Sequence, residues 1–108
     1  MWLAIAVKLT LTLAVKATPA VSLAPATVVI QTIVPRDVHN RYKAVIWGDQ
    51  YGELGRAEQS IDGDDPVVAE FTLQDLGDGD YIVYLVVTKD DGRQQRARTE
   101  FSVKGGGR

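Results

Sequence analysis

Residues 81–87 read Tyr-Ile-Val-Tyr-Leu-Val-Val, apolar at every position. Successive side chains of a strand point to opposite faces, so Tyr81, Val83, Leu85 and Val87 share one face and Ile82, Tyr84 and Val86 the other. A half-buried strand would alternate apolar with polar, and this one does not, so its second face also needs an explanation. The segment "YKAVIW" (42–47) shows the same doubling, with Val45 and Trp47 on one side and Tyr42, Ala44 and Ile46 on the other.

Other segments are simpler. "TVVIQTIV" (27–34), rich in β-branched residues and stopped by Pro35, predicts a core strand. "TPAVSLAPA" (18–26) has two prolines and suits an edge strand or a lead-in segment. "PRDVHNR" (35–41) predicts a polar turn and "GDQYGELG" (48–55), with three glycines, a loop. "RAEQSI" (56–61) predicts a polar edge strand, "DGDDP" (62–66) a turn and "VVAEFTL" (67–73) a half-buried strand. "DLGDGD" (75–80) then turns the chain into the strand over 81–88. "KDDGRQ" (89–94) carries an Asp-Gly hairpin signal, and "QRARTEFSV" (95–103) places Ala97, Thr99, Phe101 and Val103 on one face. The tail "KGGGR" (104–108) is predicted to fray. Seven to eight short strands without a helical stretch predict an all-β, antiparallel β-sandwich over residues 18–103.

Composition narrows the function classes. The 108 residues make one domain, and 12 basic against 14 acidic residues leave a net charge of −2, which excludes a general field for nucleic acid. Arg93, Arg96 and Arg98 read as a solvated strand face. The absence of cysteine removes disulfides, thiolate nucleophiles and the usual structural zinc sites.

The first seventeen residues admit three readings. Val7, Leu9, Leu11, Leu13 and Val15 alternate with Lys8, Thr10, Thr12, Ala14 and Lys16, as a strand requires. Val15-Lys16-Ala17 also offers a signal-peptide cleavage site, although there is no basic segment before the apolar run. A membrane anchor is the third reading. Residues 2–15 as a helix would reach only about 21 Å, and Lys8 would sit mid-span. Any membrane contact is confined to these residues.

Leu76-Gly77-Asp78-Gly79-Asp80-Tyr81, followed by Val83, Leu85 and Val87, resembles the corner before strand F in immunoglobulin-like and fibronectin type III-like domains. Trp47 resembles the strand C tryptophan of that family. Val83 stands where antibody domains carry their second cysteine, so the resemblance is to a bacterial immunoglobulin-like module of the kind found in small exported proteins. It implies that the Tyr81 hydroxyl caps the corner backbone, that Trp47 lies across the core, and that the protein is exported to the periplasm, cell surface or medium.

Little points to catalysis. His39 lies in a polar turn beside Asp37 and Asn40, and Ser22, Ser60 and Ser102 have no nucleophile elbow around them, so no enzyme and no cofactor are expected. Two acidic sets, Asp62, Asp64 and Asp65, and Asp75, Asp78 and Asp80, could supply part of the six to eight oxygens that calcium takes. Aspartate beside glycine is equally the chemistry of plain turns. With Tyr81 inward, Tyr42, Ala44, Ile46, Ile82, Tyr84 and Val86 form one outward apolar patch, rimmed by Arg96, Arg98 and Glu100. A patch of that kind is covered by the chain's own N-terminal segment or by a partner. The resulting expectation is a non-catalytic structural or interaction module that assembles through this face with a protein partner or a second copy. A calcium-dependent adhesion or cell-surface binding domain is the alternative.

Overall fold

The computed structural model describes residues 12–61 and 68–105. Within them the chain forms β1 (Ala14–Thr18), β2 (Val21–Leu23), β3 (Ala26–Ile33), β4 (Asn40–Asp49), β5 (Gly52–Ser60), β6 (Val68–Leu76), β7 (Gly79–Lys89) and β8 (Gln94–Lys104). One sheet runs β1-β3-β6 and the other β2-β8-β7-β4-β5. All described pairings are antiparallel except β2 with β8. This is the all-β sandwich that the strand spacing predicts.

The core lies between the sheets. On β7, Val83, Leu85 and Val87 are fully buried and Tyr81 nearly so; Val45 of β4 and Phe101 and Val103 of β8 stand beside them in the same sheet, and Val28 and Ile30 of β3 face them from the other. Tyr81 stacks on its cross-strand neighbour Phe101 with ring centroids 4.9 Å apart. Its hydroxyl donates to the Gly77 carbonyl at 2.6 Å, the corner bond that the family resemblance implies. Burial raises the Tyr81 phenol above its usual pKa, and the nearby Asp49 and Asp78 carboxylates add to the rise.

β1 is antiparallel to β3, from Ala14 opposite Ile33 to Thr18 opposite Val29. Val15 is buried, and Leu13 and Ala17 pack against the core. The alternation read for the N-terminal segment therefore holds over its described part, while Val7, Leu9 and Leu11 lie outside the described residues. Two residues later the chain has changed sheets, and β2 lies parallel to β8.

The largest departure from the sequence expectation is at 48–55, expected to be a loop. There β4 and β5 continue to a tight connection at Gln50-Tyr51, with a bulge at Trp47/Gly48. Gly52, at φ 128°, serves that connection, whereas Gly48 and Gly55 serve packing. A Cβ on Gly55 would lie 2.3 Å from the Trp47 ring, which spreads over its cross-strand neighbour, and a Cβ on Gly48 would lie 2.4 Å from the Gly52 carbonyl oxygen. Glycine allows such close approach because it has no side chain. Likewise, β6 runs to Leu76 and β7 begins at Gly79, so the turn expected over 75–80 shrinks to Gly77-Asp78, with Asp75 in the left-handed region at φ 57°.

Candidate functional site

The outer face of the five-stranded sheet is built by register. Ile46 of β4 lies between Arg56 of β5 and Tyr84 of β7, and Tyr84 in turn lies beside Arg98 of β8. One step along, Glu58, Ala44, Val86 and Arg96 form a second row. The six residues expected to share the outward face, Tyr42, Ala44, Ile46, Ile82, Tyr84 and Val86, are brought together there.

The face differs in kind from a broad apolar patch. Only Tyr42 and Tyr84 among the six are exposed, at 56% and 38%, and the other four are half-buried. Long charged side chains stand on both flanks, and their stems shield the apolar floor between them. What remains open is a trough of about 490 Å³. Its floor is Tyr42, Ala44, Ile46 and Val86, and its two walls are Arg56 with Glu58 and Gln94 with Arg96.

The walls carry different charge. On the β5 side the Arg56 guanidinium donates to Glu53 at 2.8 and 3.3 Å and to Glu58 at 3.0 Å. The hydrogen bond from Arg56 holds the Glu53 carboxyl below its ordinary pKa, and the two carboxylates raise that of Arg56. On the β8 side Arg96 donates to Gln94 Oε1 at 3.1 Å, while Gln94 Nε2 donates to Thr88 Oγ1 at 3.4 Å. Arg98 pairs with Glu100. Among the described residues Arg96 has no carboxylate partner.

The other candidate positions are placed elsewhere. Asp78 and Asp80 lie at the Tyr81 end, where the Asp80 carboxylate accepts from Ser102 Oγ at 2.8 Å. Asp62, Asp64 and Asp65 lie outside the described residues. Among the described residues no three acidic or histidine side chains converge as a metal set.

At the opposite end His39 is exposed, with Nδ1 2.9 Å from Asp90 Oδ2. Asp37, its neighbour in sequence, instead accepts from the His39 backbone N–H at 2.9 Å and from Lys89 Nζ at 3.0 Å. Lys89 is only 8% exposed and also donates to Asn40 Oδ1 at 2.5 Å. The sequence grouped Asp37, His39 and Asn40 in one turn but carried no signal for Lys89 and Asp90, which lie about fifty residues away.

No known family model matches the sequence, and no curated protein does. Among solved structures, the chain is similar to the superoxide reductase (neelaredoxin) from Ignicoccus hospitalis, with TM-score 0.61 and 17% identity over 83% of this chain and 78% of that one. It is also similar to CopC from Methylosinus trichosporium OB3b, with TM-score 0.54 and 21% identity over 90% and 98% of the two chains. The fibronectin type III domain of the human collagen alpha-1(XX) chain aligns with TM-score 0.56 and 11% identity over 99% and 93%. These likenesses establish an immunoglobulin- and fibronectin type III-like β-sandwich fold. They also overturn the expectation of a non-catalytic structural or interaction module assembling through a sheet face, together with its calcium-adhesion alternative. The same architecture serves superoxide reductases, so it does not define a non-catalytic module.

Proposed function

We propose that the domain binds a small amphipathic solute in the trough on the outer face of the five-stranded sheet. One observation carries the reading: an apolar floor two strands wide, enclosed by polar walls on both flanks, with a volume of about 490 Å³. That volume falls within the roughly 300 to 1,000 Å³ of small-molecule sites. Specific protein interfaces cover about 800 Å² per partner, whereas a floor two strands wide and about 13 Å long from Tyr42 to Ile46 suits a slender molecule better.

Backbone-amide NMR during titration with octanol and octanoate tests this. The amides of β4 and β7 around Ala44, Ile46 and Val86 shift together and saturate, and Ala44→Trp, which fills the floor from outside, abolishes the shifts. Saturating shifts confined to another part of the sandwich, or no shifts with either probe, would refute the proposal.

Export belongs to the same proposal and is supported by the resemblance to small exported bacterial proteins. Removal of residues up to Ala17 would take β1 out of its sheet, so we propose that the mature chain retains Ala14–Thr18. Mass spectrometry of the native protein checks this, and a mature N-terminus at Thr18 would exclude it.

A further inference from the structure

We infer that the ligand of this trough carries a carboxylate, and that Arg96 is the residue that anchors it. The inference rests on the binding role just proposed and adds the chemical class of the ligand.

The two walls of the trough are unequal. On the β5 side the Arg56 guanidinium is occupied by two carboxylates, so that wall offers no free cation and carries an excess of negative charge. On the β8 side Arg96 borders the trough without a carboxylate partner among the described residues, and Gln94 is its hydrogen-bond acceptor. Gln94 is in turn tied to Thr88, another trough residue, so the chain Thr88–Gln94–Arg96 orients the guanidinium along the wall. Lys43 also borders the trough but is itself partnered.

Guanidinium presents paired N–H donors that match the two oxygens of a carboxylate. Gln94 uses part of this donor set and leaves the charge uncompensated. A molecule with an apolar body over Ala44, Ile46 and Val86 and a carboxylate at Arg96 therefore satisfies both parts of the trough. The Glu58 wall repels the carboxylate and so sets the orientation of the ligand. A ligand of the same shape with a hydroxyl in place of the carboxylate fills the floor and leaves Arg96 unused.

Isothermal titration of the full chain with octanoate and with octanol reads the difference. Octanoate binds about tenfold or more tightly than octanol, the range of a hydrogen bond to a charged group, and the advantage shrinks as salt is raised. Arg96→Gln weakens octanoate binding far more than octanol binding and so removes the advantage, whereas Lys16→Gln on the exposed side of β1, an equal change in net charge, preserves it. Circular dichroism melts confirm that both variants fold. Equal affinities for the two probes, or an octanoate advantage that survives Arg96→Gln, would refute the inference while leaving the binding trough intact. Failure of both probes to bind would remove the trough itself.

Discussion

The two faces of β7 are made of almost the same residues and meet different fates. Tyr81, Val83, Leu85 and Val87 are buried between the sheets, whereas Ile82, Tyr84 and Val86 lie on the outside, half-buried or exposed. Hydrophobicity therefore does not distinguish them; the neighbours do. Inward residues meet the other sheet, whose Val28 and Ile30 fill the space opposite. Outward residues meet only the side chains of adjacent strands, Ala44 and Ile46 on β4 and Arg96, Arg98 and Glu100 on β8. The inner face stabilises the fold, and the outer face keeps a strip of apolar surface within a charged frame.

Substitutions on adjacent residues break this comparison most directly. Leu85→Ala should cost about 2 to 5 kcal/mol, because it opens a cavity between close-packed sheets, and Val86→Ala one position later well under that; urea denaturation of the pair measures both. Equal losses would mean that the outer face is packed like the core. Gly55→Val should follow, at about 1 to 3 kcal/mol, since its side chain must displace the Trp47 ring or push β5 away from β4. The readout is a lower melting temperature together with a shift in tryptophan fluorescence.

Tyr81→Phe sharpens the contrast at a single atom. It keeps the stack on Phe101 and deletes only the bond to Gly77, so thermal denaturation should show a loss of about 1 kcal/mol. A loss as large as that for Leu85→Ala would place the corner bond on a par with the core.

The smallest effect concerns pH. The Asp37 carboxyl is held below its ordinary value of 3.8, first by the His39 backbone N–H and then by the Lys89 ammonium. A depressed folded-state pKa contributes stability that is present above the unfolded value and lost as the pH falls through the folded one. Melting temperature should therefore drop below about pH 4 partly through this group. Asp37→Asn should flatten that part of the acid limb, and an unchanged limb would show that the exposed contact contributes nothing.

Much of this was legible in residue order. Period-two alternation put Val83, Leu85 and Val87 on one face and Tyr84 on the other, and the corner resemblance, with Tyr81 inward, implied which face is core. The Leu-Gly-Asp-Gly-Asp-Tyr run implied its corner through a family resemblance, and the structure closes that corner on Gly77. The glycines of 48–55 misled, because a glycine demanded by a turn and a glycine demanded by a tryptophan ring on the next strand look identical in sequence. The asymmetry of the trough walls was also hidden. Arg56 and Arg96 lie forty residues apart, and nothing local distinguishes an arginine claimed by two glutamates from one bonded only to a glutamine.

Local chemistry thus determined the strands and which side of each is apolar, because side-chain alternation along an extended backbone does not depend on what lies across from it. Tertiary structure decided which apolar side became core, how β1 and β2 divide between the two sheets, and which charges face one another over the outer strip. Those outcomes depend on register between segments distant in the chain, and register is set only when the sheets pack.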